Sequence, residues 1–353
     1  MPATAAKPFA SMISPTPMSL VQLRCMKPAN NEGELSMSLS RRRFIMISAS
    51  AAASSLSTVP AVAAADARWR GTALGAAADI RLVGLPQLQA EDLLQQVRAE
   101  ISRLENEFSL YRKSSTLSQL NKDGRLEQPG GDMLALLGLV SAMHAASGGY
   151  FDPTVQPVWD AYARSDGKPD KVQLADARRL VGWQNVEVDA GAVCLSEGGA
   201  LTLNGIAQGY VTDRIVALLR QAGLENALVE VGEISAMGRP DRDGLWQMHL
   251  GTSDGPSVEI SDKAVATSAA GGTLIGETAS HLIDPVTALP CRSKWLRTTI
   301  IHRSAAVADA ASTAASLMDF DQIRQMMAYL GGASFIGLHK DLGHVSHAHG
   351  GQS

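Results

Sequence analysis

The sequence predicts a protein that mixes helices and strands behind an N-terminal leader, and three observations support this. Apolar residues repeat at helical spacing between Asp92 and Phe108, which indicates an amphipathic helix. Short alternating or apolar runs typical of strands fill much of the second half of the chain. An arginine-rich segment followed by small apolar residues precedes both.

The composition fits a globular protein and excludes several classes. The chain has 353 residues, of which 45% are hydrophobic and 19% charged, enough for two or three modest domains or one large one. A net charge of −4 gives no general attraction to nucleic acid or to an anionic membrane. The widely spaced Cys25, Cys194 and Cys291 argue against a zinc knuckle and a disulfide scaffold. Loss of the leader would leave at most one bridge, Cys194 to Cys291.

Residues 1–65 are predicted to form a disordered leader and a signal peptide. Arg41-Arg42-Arg43-Phe44-Ile45 and the following small-residue run resemble a twin-arginine signal, with Ala61-Val62-Ala63 as its cleavage site. The run is too short and too rich in Ala and Ser to span a membrane, which takes about 20 strongly apolar residues. We therefore expect periplasmic export by the twin-arginine route without a stable membrane anchor. The long extension before Met37 suggests translation starting at Met37.

The body is predicted to span residues 66–340 and to alternate strands with helices. Helices are predicted over 92–108, 114–121, 133–147, 209–221, 306–318 and 320–330. Strands are predicted over 68–83, 185–188, 192–196, 200–203, 226–238, 246–251, 257–260, 264–268, 295–302 and 333–338. Asp132 is predicted to cap the third helix, because its side chain can accept from the first-turn amides. Residues 341–353 are predicted to be a disordered tail.

The stretch from Ser280 to Pro290 concentrates chemistry-bearing residues. His281 titrates near neutral pH after a small environmental shift, so it can act as an acid or base. Asp284 lies three residues later, before a proline that favours an extended or turning backbone. In the alternative interpretation His281 is an ordinary strand histidine and Asp284 a turn former.

Two further segments suggest a site for an anion and a cation. Asn204-Gly205-Ile206-Ala207-Gln208-Gly209 opens a helix, where free backbone amides can face a pyrophosphate. Asp309 and Thr313 are four residues apart and share a helix face, as in a partial Mg²⁺ site. Alternatively, Asp309 caps its helix and Thr313 bonds back to the Asp309 carbonyl.

Taken in order, these segments resemble the FAD:protein FMN transferase (ApbE) family. Six blocks carry the resemblance: Phe108–Tyr111 with the helix to Asn121, Gly149–Val155, Gly205–Asp213, Val231–Gly238, His281–Pro285 and Asp309–Ala314. Together they cover the chain from about Trp69 to Leu338. The resemblance implies an α/β (α+β), T-fold-like protein with mostly antiparallel sheets, flanking helices and an FAD cleft between two lobes.

The resemblance also implies a chemistry and a site. The family uses FAD and Mg²⁺, attacks the pyrophosphate with a Thr or Ser hydroxyl of a target protein, and releases AMP. By position, His281 and Asp284 match the catalytic motif, with His281 as proton acceptor, and Ala207, Asp309 and Thr313 match the metal positions. The implied flavin contacts are Tyr111, Asp152, Gln208, Glu233, Thr267, Ser268 and Ile283. Twin-arginine-exported members that flavinylate a membrane-bound partner during nitrous oxide reductase maturation provide a hypothesis for the target.

Departures from the family pattern keep alternatives open. Gln208 stands where a lysine is usual, Val231 where the first glycine of Gly-Gly-Asp/Glu is usual, and Ala269 and Ala288 replace two further glycines. Losing a lysine beside a pyrophosphate removes a cation, and added β-carbons narrow a cleft. A flavin carrier that has lost turnover and a hydrolase that cleaves FAD with water are therefore the alternatives to a transferase.

Overall fold

The computed structural model describes residues 65–240, 244–250 and 256–348. The predicted leader, twin-arginine motif, cleavage site and Cys25 lie outside these residues. The strands are β1 (Ala65–Ala73), β2 (Ala76–Leu85), β3 (Arg125–Glu127), β4 (Glu187–Val188), β5 (Ala192–Cys194), β6 (Ala227–Val231), β7 (Glu233–Met237), β8 (Trp246–His249), β9 (Ser257–Ile260), β10 (Lys263–Ser268), β11 (Leu274–Ile275), β12 (Ala279–Ser280), β13 (Ile283–Asp284), β14 (Leu289–Pro290), β15 (Trp295–His302), β16 (Ser334–His339) and β17 (Gly343–Ala348). The helices are α1 (Gln87–Phe108), α2 (Thr116–Asp123), α3 (Gly131–Ala146), α4 (Gln156–Arg164), α5 (Lys171–Arg178), α6 (Ala207–Gln221), α7 (Ala305–Ala315) and α8 (Phe320–Tyr329).

One eight-stranded sheet organises the fold. Its order is β1-β2-β6-β7-β10-β15-β16-β17, and every neighbouring pair is antiparallel. Smaller sheets are β3-β5-β4 and the two-stranded pairs β8-β9, β11-β12 and β13-β14. The predicted α/β class with mostly antiparallel strands is therefore confirmed.

The two faces of the large sheet bury different partners because successive strand residues point to opposite sides. Ala266 and Ile300 belong to the main core, which includes buried residues of α1, α3, α6 and α7. Val265 and Ile301 instead pack with Trp246 and other residues of β8 and β9. The sheet is thus covered on both faces, and α7 lies within the main core.

A smaller hydrophobic cluster forms a second lobe. It joins α4 and α5 to the segment that carries β11–β14, with Val158, Tyr162, Ile283 and Ala288 among its buried members. The stretch that contains His281 therefore belongs to this lobe, while Asp309 and Thr313 belong to α7 of the main core.

Three sequence predictions about elements are wrong. Residues 343–348 form β17 rather than part of a disordered tail, because each residue from Gly343 to Ala348 pairs with β16. The third helix begins at Gly131 after Gly130, without a side-chain cap, and Asp132 instead accepts from Arg103 and Tyr210. Residues 200–203 form no strand, and the backbone of Leu201 pairs with the side-chain amide of Asn121.

Two further observations concern membrane-spanning helices and the cysteines. Within the described ranges, no helix combines the length and apolar character needed to cross a membrane. Cys194 and Cys291 are both free thiols. The Cys194 sulfur accepts from the Arg125 guanidinium at 2.9 Å, and the Cys291 thiol donates to the Ser316 carbonyl at 3.4 Å.

Candidate active site

The first residues of α6 are locked against α7. The Gly209 amide donates to Oδ2 of Asp309 at 3.2 Å. A β-carbon on Gly209 would lie 2.3 Å from the Ala305 carbonyl oxygen, so only glycine permits this approach. The start of α6 and the Asp309 carboxylate are therefore held in direct contact.

The hydroxyl-bearing residues of α7 meet the end of β10. Ser268 Oγ lies 2.7 Å from Ser312 Oγ and 3.4 Å from Thr313 Oγ1. A β-carbon on Gly205 would lie 3.0 Å from Thr313 Oγ1, which places the turn before α6 against Thr313. The contacts at Gly205 and Gly209 lie on either side of Ala207, so the structure brings together the three predicted metal ligands.

The helix does not use these residues as the alternative interpretation expected. Ser304 caps α7 by accepting from the Val307 amide, and the Asp309 carbonyl accepts from Ser312 rather than from Thr313. The Asp309 carboxylate and the Thr313 hydroxyl are therefore free of both local roles.

In the corner formed by the start of α6, the end of β10 and α7, the charge of Asp309 acts on a second buried carboxylate, Glu233. Burial raises the pKa of Asp309 to about 7, and the nearby Asp213 carboxylate adds to this shift. Burial also raises the pKa of Glu233 well above its usual value, and the Asp309 charge raises it further. Thr267, whose backbone amide opposes this shift at Glu233, places its own hydroxyl 2.9 Å from Thr299 Oγ1. Buried negative charge of this kind favours a cation.

The donor set fits a hard divalent cation of the Mg²⁺ type. Mg²⁺ is commonly held by one or two carboxylates, with water or substrate phosphate completing its shell. Asp309, Thr313 and the Ala207 carbonyl supply only oxygen donors. No group of three or more His, Cys, Asp or Glu side chains in the described part of the chain is arranged to hold a metal. An ion here would therefore depend on Asp309 together with hydroxyl and carbonyl oxygens.

Gln208 lies over the β6–β7 turn. A β-carbon on Gly232, which has a φ of +84°, would lie 2.5 Å from the Gln208 side-chain carbon Cδ. Gly232 is thus required both by its left-handed backbone and by the close approach of Gln208. The turn joins Val231 to Glu233, so Gln208 and Glu233 lie at the same edge of the corner.

His281 is oriented by the loop that follows β10. Its Nδ1–H donates to the Thr273 carbonyl at 3.0 Å, which leaves Nε2 as the acceptor nitrogen. Burial lowers the pKa of His281, so the neutral imidazole is favoured. Ser280, the residue before His281, donates its hydroxyl to the Ala270 carbonyl at 2.7 Å, and Ala270 lies two residues after Ser268. The histidine is therefore held as a neutral base on the loop leaving the corner.

Asp284 and Ile283 have local structural roles. Asp284 Oδ1 accepts from the Val286 amide at 2.9 Å and Oδ2 accepts from the Thr287 hydroxyl at 2.9 Å, so Asp284 builds the β13–β14 turn. Ile283 is buried in the smaller lobe. The turn-former interpretation describes the Asp284 contacts, and its predicted catalytic role stays a prediction.

Tyr111 and Asp152 lie on other elements. Tyr111 is 69% exposed and its ring lies over Gly75 of the β1–β2 turn, where it offers an accessible aromatic face. The Asp152 carboxylate accepts from the Thr154 and Trp183 amides, at 2.9 and 3.0 Å. Asp152 therefore holds its own loop together. The structure brings together Ala207, Gln208, Glu233, Thr267, Ser268, Asp309 and Thr313, and the binding roles of all these residues stay predictions.

Asp213 is a positioning residue that the sequence reasoning missed. It lies on α6 but accepts from the α7 N-terminus: from Ser304 Oγ at 2.7 Å, the Ala305 amide at 2.7 Å and the Ala306 amide at 3.0 Å. Its spacing of four residues from Gly209 puts both on one face of α6. The sequence could have indicated this role, because Asp213 lies four residues after Gly209 and therefore on the face of α6 that packs on another helix.

Comparison with known proteins places this chain in a family. The ApbE family profile matches residues 74–336. The FAD:protein FMN transferase of Vibrio cholerae is 26% identical over 273 residues, covering 70% of this chain and 80% of the relative. That of Treponema pallidum is 28% identical over 269 residues, covering 67% and 74%. The solved Vibrio cholerae flavin transferase ApbE superposes with a TM-score of 0.72 at 23% identity, over 81% of this chain and 97% of that one. The apo Pseudomonas stutzeri flavinyl transferase ApbE gives 0.70 at 25% identity, over 81% and 95%. This chain is a member of the ApbE family.

Proposed function

We propose that this chain transfers FMN from FAD to a Thr or Ser hydroxyl of a target protein and releases AMP. Family membership and the names of the relatives support the reaction class. The observation that carries the proposal is the convergence of the α6 start, the end of β10 and α7 on one oxygen-lined corner, with His281 on the adjoining loop.

The proposed reaction requires little covalent chemistry from groups of the protein. The acceptor hydroxyl forms a new oxygen–phosphorus bond to the FMN phosphate of FAD, the pyrophosphate bond breaks, and AMP leaves. His281 Nε2 takes the hydroxyl proton, since the Thr273 carbonyl holds the proton on Nδ1. Asp309, Thr313 and the Ala207 carbonyl would hold Mg²⁺, which when bound neutralises charge on the phosphates.

The start of α6 suits the phosphates of FAD. Its Ncap residue, Ile206, provides no side-chain hydrogen bond. The Ala207 amide donates to the Leu203 carbonyl at 2.7 Å and the Gly209 amide donates to Asp309, which leaves the Gln208 amide of the first turn for a phosphate. Amides at a helix N-terminus favour negative charge. Gln208 provides a neutral amide where the family usually has a lysine. More of the phosphate charge would therefore have to be neutralised at the corner that holds the predicted metal ligands.

The proposed setting is the periplasm, reached by the twin-arginine route. The support is the Arg41-Arg42 leader, which lies outside the described residues. The partner is a flavin-acceptor protein, and a membrane-bound electron-transfer subunit is the proposed target. N-terminal sequencing of the protein recovered from a periplasmic fraction tests cleavage after Ala63.

The test of the activity mixes the protein with FAD, Mg²⁺ and a flavin-acceptor domain that carries the target Thr. We expect covalent fluorescent FMN on the acceptor after denaturing electrophoresis, and its loss with EDTA or in Asp309→Asn. Asp160→Asn is the matched control, because burial also raises the pKa of Asp160 but its partners are Gln156 and Arg164 of its own helix, α4. AMP release without labelling would indicate a hydrolase, and tight FAD binding without turnover would indicate a carrier.

A further inference from the structure

A cavity of about 760 Å³ lies beside the β13–β14 hairpin. Its walls come from the hairpin and the residues after it, from the segment between α7 and α8, and from the β16–β17 turn. This volume lies within the range of binding sites. Asp284 alone among the predicted site residues lines it, so the cavity is distinct from the corner around Asp309.

The lining is mainly apolar, and its rim exposes large apolar side chains. Trp295 and Phe320 contribute rings, and the Trp295 indole N–H is already bound to the Met318 carbonyl at 3.0 Å. Leu289 and Leu342 on the rim are 48% and 72% exposed. Clustered exposed apolar residues of this kind mark surfaces that bind other molecules.

Two cationic residues line this cavity. Arg292 and Lys294 are exposed, and neither forms an ion pair or side-chain hydrogen bond with the residues that the structure describes. The two carboxylates in the lining already accept hydrogen bonds locally, Asp284 in its turn and Asp319 from the Gln322 amide at 2.9 Å. The cavity therefore combines an apolar floor with open cationic donors.

We propose that this cavity docks an acidic, leucine-containing segment of the flavin-acceptor protein. An apolar side chain of the segment fills the cavity and its carboxylates pair with Arg292 and Lys294. This inference rests on the proposed function. The hairpin supports it, because Asp284 on the cavity wall follows His281 by three residues, so the cavity and the proposed base belong to one short segment of the chain.

Peptide binding to the full chain tests the docking site without turnover. The probe is a fluorescein-labelled peptide, Asp-Asp-Leu-Ala-Thr-Ala-Leu-Asp-Asp, and its counterpart has Lys at the four Asp positions. By fluorescence anisotropy we expect the double variant Arg292→Glu/Lys294→Glu to bind the acidic peptide about tenfold more weakly than the unchanged protein. Arg98→Glu, on the exposed face of α1, should stay within about twofold.

A second variant tests the apolar contact. Because Leu342 is 72% exposed, Leu342→Ser removes nothing from the folded core, and we expect about fivefold weaker peptide binding with unchanged thermal unfolding. The affinity for FAD, measured by flavin fluorescence quenching, should stay the same in every variant.

Several results would overturn the docking site. They are equal binding of the acidic and basic peptides, equal binding by the double variant and the unchanged protein, and a parallel loss of FAD affinity. Absent peptide binding with acceptor labelling intact would reject the docking site and leave the proposed function standing. Peptide binding without any FMN transfer would do the reverse.

Discussion

Replacing Asp213 by alanine should weaken both the fold and the corner that holds the predicted metal ligands. The substitution removes acceptors at 2.7, 2.7 and 3.0 Å from three donors at the start of α7. Two of these donors are the amides of Ala305 and Ala306, which are fully buried. Each buried amide left unsatisfied costs about 1–3 kcal/mol, and losing a helix cap typically costs up to about 2 kcal/mol. We expect the free energy of unfolding to fall by about 3 kcal/mol.

The same change should alter the metal dependence. Asp213 ties α6, which carries Ala207, to α7, which carries Asp309, so its loss should loosen the spacing between two predicted metal ligands. We expect Asp213→Ala to raise the Mg²⁺ concentration for half-maximal transfer several-fold, and Asp213→Asn to restore part of the effect through its remaining carbonyl. The assays are urea denaturation and a Mg²⁺ titration of acceptor labelling.

A matched cap elsewhere provides the control. Asp170 caps α5 by accepting from the Val172 and Gln173 amides at 2.9 and 2.8 Å, at an exposed position in the smaller lobe. Asp170→Ala should cost about 1 kcal/mol and leave the Mg²⁺ titration unchanged. An unchanged Mg²⁺ titration for Asp213→Ala, or equal losses of stability in both variants, would refute the positioning role.

Three other substitutions have defined outcomes. Burial raises the pKa of Glu230 to about 7. The stability that the protonated side chain contributes is therefore present below pH 4.5 and is lost as the pH rises through 7. In urea denaturation, Glu230→Gln should raise the free energy of unfolding at pH 8 by up to about 3 kcal/mol and change it little at pH 4.5. Because burial lowers the pKa of His281, kcat/KM should fall only below about pH 6.5. His281→Gln should lower the rate about 10²–10⁴-fold and abolish this fall at acidic pH. An unchanged pH–rate profile would exclude His281 as the base. Gly209→Ala should lower the free energy of unfolding by about 1–3 kcal/mol in urea denaturation, because its β-carbon would lie 2.3 Å from the Ala305 carbonyl oxygen. Gly138→Ala is the control and should be neutral or stabilising, because its β-carbon would meet open space. Equal effects of the two substitutions would contradict the close packing at Gly209.

Local patterns were sufficient for the elements whose apolar faces repeat regularly. The periodicity from Leu93 to Phe108 predicted α1, although the helix begins five residues earlier than Asp92, at Gln87. Gly148 and Gly223 follow the ends of α3 and α6, and both adopt the positive φ angles, +61° and +80°, that glycine favours at such ends. These features depend on residues that are near each other in the chain.

Features that depend on distant partners could not be predicted locally. β17 contains a single large apolar residue, Val345, and exists because it pairs with β16. Asp132 resembles a helix cap, but an arginine of α1 and a tyrosine of α6 use its carboxylate. Asp213 likewise acts on a helix that follows it by about ninety residues. The ordered blocks of the family resemblance named the corner residues, whereas the contacts that hold the corner needed the three-dimensional structure.

Because α7 is buried, the site should unfold only when the whole molecule unfolds. Seven of the residues in Ala305–Ala315 are alanines, none of them has any exposed surface, and the helix packs on α6, β10 and β15. Its amides should therefore exchange with solvent only through global opening, at the rate set by full unfolding. Heat should then abolish activity and tertiary structure together, in one cooperative transition. Ligands that occupy the corner should protect the entire sheet from exchange rather than a local lid.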